Sequence, residues 1–318
     1  MDFRTNIQLK KEENQIDYAS KLLLIGSCFS ENISKKFAYF KFDVASNPFG
    51  ILFNPKAIET IIENSLSKKV YTEKDVFLLN ERWHCFDAHS DLSAIDKNEL
   101  ISNLNNAIKS TNKRIKESTH IIITLGTSWT YRFTETNAIV GNCHKVPQKK
   151  FIKELLSVDE ISASLKNICL KISEVNPTAN VIFTVSPVRH IKDGFVENSK
   201  SKAHLLTAVH KNIGVFPPSR VRVLYFPSFE IMMDDLRDYR FYNSDMLHPN
   251  ETATDYIWEH FKHGWIQENT FSVMKEVDLI QKGLAHKPFN PNSEQHLQFI
   301  NSLHKKIELL KTSSNICF

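Results

Sequence analysis

The stretch Leu22-Leu23-Leu24-Ile25-Gly26-Ser27-Cys28-Phe29-Ser30 decides how the chain begins to fold. Its four consecutive apolar residues, 22–25, end at a glycine and predict a short buried strand. Residues 31–40 continue with apolar side chains at helical spacing. Ser27 is therefore predicted to lie at a strand-to-helix turn, where the first backbone N–H groups of the helix are free to bind an anion.

A second informative stretch, Asp245-Met246-Leu247-His248-Pro249, lies near the other end of the chain. It places an acid and an imidazole a few residues apart, before a helix predicted over 250–261. A serine hydroxyl is a weak nucleophile unless a base removes its proton, and an acid orients that base. The order Ser27, Asp245, His248 therefore predicts a serine nucleophile, a general base and its orienting carboxylate.

Each of these residues also has a structural interpretation. Ser27 or Ser30 would serve as the N-cap of the helix, Asp245 as a capping residue, and His248 as a partly exposed side chain. Cys28 is a rival nucleophile if a histidine forms a thiolate pair with it, although a small buried residue at a helix start is the simpler interpretation.

Composition narrows the class of protein. A chain of 318 residues with 42% hydrophobic content can bury a full core, and its formal charge of +4 is mild, with basic and acidic residues interleaved. We therefore expect no nucleic-acid partner.

The polar N-terminus and the lack of a long apolar stretch predict no signal peptide and no membrane partner, hence a cytoplasmic protein. Five scattered cysteines, odd in number, argue against a disulfide framework: Cys28, Cys85, Cys143, Cys169 and Cys317.

Missing motifs exclude several kinds of site. Only eight glycines occur, and none form a GxGxxG or P-loop cradle, so nucleotide binding by a glycine-rich loop is not expected. No GxSxG nucleophile elbow is present. His84 and His89 are five residues apart, which places them on different faces of a helix or strand. Three further histidines, His190, His204 and His210, have only Asp193 as a nearby acid. We therefore predict no metal and no cofactor.

Strands and helices are predicted to alternate along the chain. The expected strands are 22–25, 121–125, 181–185 and 221–226, with a strand or hairpin over 70–79. The expected helices are 31–40, 54–62, 98–117, 157–175, 199–212 and 250–261, followed by two at 271–282 and 293–311. This alternation favours parallel βαβ units in an open sheet covered on both faces. We expect an α/β domain over 1–265 and a helical C-terminal extension over 266–318.

Polar residues follow the predicted strands where each strand ends. They are Ser27 and the segments 126–128, 186–190 and 227–230. In open parallel sheets, ligands bind beyond the carboxyl ends of the strands. The same residues also end strands for conformational reasons, so loop composition is the alternative explanation.

Together these blocks resemble one family. Residues 26–30, Gly-Ser-Cys-Phe-Ser, are similar to the signature of the GSCFA-domain family, with Ser30 where that name has alanine. The family looks related to the SGNH (GDSL-type) esterases and acyltransferases. The resemblance extends over most of 22–265 and includes 47–50 (Asn-Pro-Phe-Gly), 124–129 (Thr-Leu-Gly-Thr-Ser-Trp), 142–145 (Asn-Cys-His-Lys), 186–190 (Ser-Pro-Val-Arg-His), 225–228 (Tyr-Phe-Pro-Ser) and 245–249 (Asp-Met-Leu-His-Pro).

The resemblance implies a three-layer α/β/α sandwich around a mostly parallel sheet of about five strands, SGNH hydrolase-like, with the triad Ser27, His248 and Asp245. It also implies that the backbone N–H groups of Ser27 and Gly50 form an oxyanion hole. SGNH enzymes usually add an asparagine from a GxND block, whereas this chain has Gly126-Thr127-Ser128-Trp129.

Other polar side chains are expected to complete the site. Thr127 or Ser128 would replace the missing asparagine as the third oxyanion donor, or Asn47 or Asn142 would reach in from another loop. Loss of one such donor costs on the order of 3 kcal/mol of transition-state stabilisation. Asn47, Asn142, Arg189 and His190 are expected to contact substrate, with the segment 198–202 as a further candidate. The alternative for Lys200 and Lys202 is a solvated helix face.

The sequence thus predicts a serine esterase that acts on a small ester or on an O-acyl group, such as acetyl, of a glycan. Acyl transfer would use the same residues, so the two reactions are not separated. A binding module that keeps the fold without efficient catalysis is the rival class. The C-terminal helices would either cover the site or mediate a homodimer.

Overall fold

The computed structural model describes residues 5–217, 220–314, 316 and 318. Its centre is a five-stranded sheet of β1 (Lys21–Gly26), β2 (Asp43–Ser46), β5 (His120–Leu125), β9 (Asn180–Val185) and β10 (Arg222–Phe226). The strands lie in the order β10-β9-β5-β1-β2, and every neighbouring pair is parallel. The predicted sheet of about five parallel strands is confirmed.

The register of the sheet aligns the carboxyl ends of its inner strands. Gly26 pairs with Thr124, Thr124 with Thr184, and Thr184 with Phe226. The residues that follow these four strands therefore leave the sheet at one edge. This edge is the place where ligands bind in open α/β sheets.

Helices cover both faces of the sheet. The larger helices are α1 (Cys28–Tyr39), α2 (Pro55–Leu66), α3 (Lys97–Glu117), α4 (Val158–Val175), α5 (Phe195–His210), α7 (Glu251–Trp265), α8 (Thr270–Ala285) and α9 (Glu294–Ser314). A short segment, α6 (Ser228–Glu230), continues as a π-helix over Ile231–Asp235.

Alternate residues of one strand enter two separate cores. In β1, Leu23 and Ile25 pack with the buried face of α2 to α5, whereas Leu22 and Leu24 pack with α1 and α7. Side chains on a strand point alternately to the two faces of its sheet, so a continuous apolar run fills both cores. The result is a three-layer α/β/α arrangement, as expected.

Two small antiparallel sheets were not predicted as such. One is the hairpin of β3 (Phe77–Leu79) and β4 (Arg82–His84). Only β3 lies within 70–79, where a strand or hairpin was predicted, and β4 follows that region. The other is a three-stranded sheet of β6 (Trp129–Phe133), β7 (Ala138–Val140) and β8 (Phe151–Leu155). This second sheet is inserted between β5 and α4, directly after the 126–128 loop.

The C-terminal region is helical, as predicted. The hydroxyl of Tyr39 in α1 donates to Asp278 in α8 over 2.8 Å, and Leu303 of α9 packs against Gly283 of α8. None of the helices in the described part of the chain combines the length and the apolar composition that crossing a bilayer requires. Cys28, Cys85, Cys143 and Cys169 are free thiols, and Cys317 lies outside the described residues.

Candidate active site

Ser27 lies between β1 and α1, as predicted, at the N-cap position of the helix. Its side chain makes no capping hydrogen bond, so the capping interpretation does not account for the hydroxyl. The side chain is fully buried, and Oγ has no hydrogen-bond partner among the described residues. A buried hydroxyl without a partner costs free energy, which makes Ser27 a candidate for a functional role.

The turn before Ser27 requires glycine. Gly26 has φ +144, and a Cβ atom there would lie 2.2 Å from the carbonyl oxygen of Thr124 on β5. Asn47, which follows β2, accepts the Gly26 N–H on its side-chain oxygen over 2.8 Å. Two neighbouring strands thus fix the backbone that presents Ser27.

Asp245 and His248 form a direct pair. His248 Nδ1 lies 2.6 Å from Asp245 Oδ2, while Asp245 Oδ1 accepts the backbone N–H groups of Leu247 and His248 over 2.9 and 3.0 Å. These backbone hydrogen bonds, together with the imidazole, lower the pKa of Asp245 to about 2. When Nδ1 donates to the carboxylate, Nε2 of the neutral ring is an acceptor, as a general base requires.

The loop of this pair is attached to the sheet edge near Ser27. The backbone N–H of Arg189, after β9, donates to the carbonyl of Leu247 over 3.2 Å. Burial, and then the nearby charges of Lys202 and His248, lower the pKa of His190 to about 3. His190 therefore lies close to His248. Ser27 and His248 are not hydrogen-bonded to each other in this structure. The triad as a closed unit stays a prediction.

The predicted oxyanion donors all have hydrogen bonds within the protein. The N–H of Ser27 donates to Thr124 over 3.1 Å, and that of Gly50 to Asn47 over 2.7 Å. Thr127 Oγ1 lies 3.0 Å from Ser201 Oγ, and the Ser128 hydroxyl donates to the Ser201 carbonyl over 2.6 Å. An oxyanion would have to displace one of these bonds, so their role also stays a prediction.

The predicted substrate contacts have different surroundings. Asn47 is buried against Gly26, and the Asn142 side chain accepts the N–H of His144 over 2.9 Å. The Arg189 guanidinium stacks on Tyr242, 4.3 Å from the ring centroid. His190 contacts the ring of Phe53, and its buried Nε2 has no partner among the described residues.

The segment 198–202 divides between buried and exposed side chains. Asn198, Ser201 and Lys202 are buried beneath the strand-end loops, and Lys202 is only 1% exposed, which excludes a solvated face for it. Lys200 is exposed, as that interpretation expects. A sequence signal was present, because the buried residues of α5 continue at helical spacing as Leu205, Ala208 and Val209.

The structure disfavours Cys28 as the nucleophile. Burial raises the pKa of the Cys28 thiol, which disfavours the reactive thiolate. Within the described ranges, no group of three or more His, Cys, Asp or Glu side chains is arranged to hold a metal ion.

Comparison with known proteins places the chain in a family. A model described as the GSCFA family matches residues 21–261, and one described as the C-terminal domain of GSCFA domain proteins matches 277–318. No curated protein matches the chain significantly. A solved structure, a carbohydrate esterase family 3 from Talaromyces cellulolyticus, covers 81% of this chain and 99% of its own, with 9% identity and a TM-score of 0.39. Similarity this distant does not bear on activity.

Proposed function

We propose that this chain, which belongs to the GSCFA family, is a serine esterase that removes O-acyl groups, such as acetyl, from a carbohydrate or another small ester. The observation that carries the proposal is the 2.6 Å contact between His248 Nδ1 and Asp245 Oδ2. It supplies an oriented base on a loop bound to the sheet edge where Ser27 holds a buried, unpartnered hydroxyl.

In the proposed reaction, Ser27 Oγ attacks the ester carbonyl carbon while His248 Nε2 takes the hydroxyl proton. The imidazolium returns this proton to the leaving alcohol as the ester bond breaks, which leaves an acyl-serine. Water then attacks the acyl carbonyl carbon while His248 Nε2 takes a proton from it. The imidazolium returns this proton to Ser27 Oγ as the acyl-serine bond breaks, and the acid product leaves. If a second alcohol attacks in place of water, the product is a new ester, so acyl transfer needs no further residues.

The direct test is labelling by a fluorophosphonate, which reacts with activated serines. We expect the wild-type chain to be labelled and Ser27→Ala to remain unlabelled. Ser30→Ala is the matched control, because Ser30 is also buried near the start of α1 with an unpartnered Oγ. Wild-type protein that resists labelling, or labelling that persists in Ser27→Ala, would contradict the proposal.

One observation favours a second candidate, a binding module on the same fold. Ser27 is fully buried and lacks a hydrogen bond to His248. A chain of this kind would bind acetylated sugars in calorimetry without hydrolysing them. A screen of short-chain nitrophenyl esters and acetylated sugars, with and without an alcohol acceptor, separates binding, hydrolysis and transfer.

A further inference from the structure

Lys202 is a buried amine placed between two strand-end loops. It projects from α5, and its Nζ donates to the carbonyl oxygens of Gly126 and Ser186, both over 2.7 Å. Gly126 directly follows β5 and Ser186 directly follows β9. One side chain therefore links the backbones of two loops at the edge that holds Ser27.

The neighbours of Lys202 on α5 bind the same loops. Ser201 Oγ accepts the backbone N–H of Ser128 over 2.7 Å, and Asn198 Oδ1 accepts that of His190 over 2.9 Å. The first half of α5 thus presents polar groups to loops, while its second half is buried through apolar residues. Helix packing alone would be satisfied by apolar side chains throughout.

An amine costs more to bury than an apolar side chain of similar size, even when it is hydrogen-bonded. No carboxylate is paired with Lys202 in the part of the chain that the structure describes. The titratable groups whose charges interact with it are the Cys28 thiol from α1 and the His190 imidazole from the loop after β9, and the Phe229 ring lies 5.8 Å from Nζ. Cys28 is adjacent to Ser27, so a charge on Lys202 acts close to the candidate nucleophile.

We propose that Lys202 is a positioning residue of the candidate site, which fixes the loops after β5 and β9 relative to Ser27 and makes this region electropositive for a developing oxyanion. The inference depends on the proposed function, because it assigns Lys202 a role in the reactivity of Ser27. It replaces the expectation that Lys202 contacts substrate or solvent.

The variant that tests it is Lys202→Met, which keeps much of the chain length and removes both hydrogen bonds and the charge. The control is Lys166→Met, which makes the same change at an exposed position on α4. Because a small misplacement of reacting groups slows a reaction strongly, we expect fluorophosphonate labelling of Ser27 to be at least about tenfold slower in Lys202→Met. Lys166→Met should label at the wild-type rate.

The pH profile separates a positioning role from a purely structural one. Burial lowers the pKa of Lys202 to about 7, so its ammonium form is lost as pH rises through that value. We expect the wild-type labelling rate to fall above this pH and the rate of folded Lys202→Met to lack that fall. Should Lys202→Met not fold, the wild-type profile decides: a rate that rises to a plateau and stays there up to pH 9 overturns the inference.

The outcomes distinguish this inference from the proposed function. Wild-type protein that is never labelled overturns both. Wild-type protein that is labelled, together with a folded Lys202→Met that is less stable in urea but labels equally fast, overturns only the role of Lys202.

Discussion

Asp245 orders both the backbone and the imidazole of its loop, through bonds to two N–H groups and to His248. Asp245→Asn keeps an oxygen for the backbone but replaces the acceptor of the Nδ1 proton, so the ring loses its favoured tautomer. We expect labelling of Ser27 to slow by about 10²- to 10⁴-fold. Asp238→Asn is the control, because Asp238 likewise binds a backbone N–H and a nearby side chain, that of Arg240. Equal rates in the two variants would remove Asp245 from the mechanism.

The same carboxylate also predicts a pH dependence of stability. The folded-state pKa of Asp245, about 2, is below the unfolded value of about 3.9. The contribution of this carboxylate to the free energy of unfolding is therefore present above its pKa in the unfolded chain and is lost as pH falls through its pKa in the folded chain. We expect the free energy of unfolding to decline less steeply between pH 4 and 2 in Asp245→Asn than in wild type, as measured by urea unfolding. Parallel curves would show that the carboxylate is not stabilised by folding.

At the level of single residues, the sequence was sufficient where a short local pattern determines the environment. Ser27 follows a strand and precedes a helix, and Asp245 lies three residues before His248, so both local geometries were predictable. For Lys202 the helical spacing of α5 signals burial, but its partners were not predictable, because the carbonyls that it binds lie in two separate loops. Only the fold brings these carbonyls to α5.

At the level of elements, the junction of β1 and α1 depends on Gly26. An alanine there would combine a strained positive φ with a clash against the β5 backbone. We expect Gly26→Ala to lower the free energy of unfolding by ~3 kcal/mol or more. Gly214→Ala is the control: Gly214 has φ +73 with no atom within 4 Å of the added Cβ, so only backbone strain of ~1 kcal/mol applies. Equal losses in urea unfolding would mean that the close approach of β1 and β5 imposes no cost.

Sequence patterns predicted the long elements and missed the short ones. The inner strands are continuous apolar runs, and the helix predicted over 157–175 begins with a capping box of Ser157 and Glu160. By contrast, β2 is only four residues long and partly exposed at the sheet edge, and β7 has three residues. Such strands bury too few side chains to leave a period-two pattern, and their pairing is set by partners elsewhere in the chain.

At the level of the whole molecule, the C-terminal helices join the body of the protein through α8. Met274 of α8 is buried in the core that contains α1 and α7, and Gln281 donates to the carbonyl of Tyr39 over 3.0 Å. These contacts lie on the face of the sheet that α1 covers. Helix α1, which begins directly after Ser27, therefore connects this residue to the C-terminal helices.

Stability of the whole molecule should depend on histidines buried in the neutral form. His144 is 5% exposed, with Nε2 2.7 Å from the carbonyl of Cys85 and Nδ1 3.0 Å from Ser90 Oγ. Burial lowers its pKa from 6.5 to about 4. Burial also lowers the pKa of His120. Between pH 6.5 and 4 the unfolded chain binds a proton at His144 that the folded chain excludes, so the free energy of unfolding must fall as pH falls through this range.

The variant His144→Asn tests this acid sensitivity, because asparagine tolerates the positive φ of +49 at this position. We expect it to be less stable than wild type at pH 7, since it loses both ring contacts. Between pH 6.5 and 4 its free energy of unfolding should fall less steeply than that of wild type. The two slopes should differ by up to ~1.4 kcal/mol per pH unit, which is the effect of one proton that only the unfolded chain binds. His263→Asn, at a side chain 67% exposed, should keep the wild-type slope. A wild-type slope in His144→Asn would show that this imidazole is protonated without unfolding, and the acid sensitivity would then have to come from other groups.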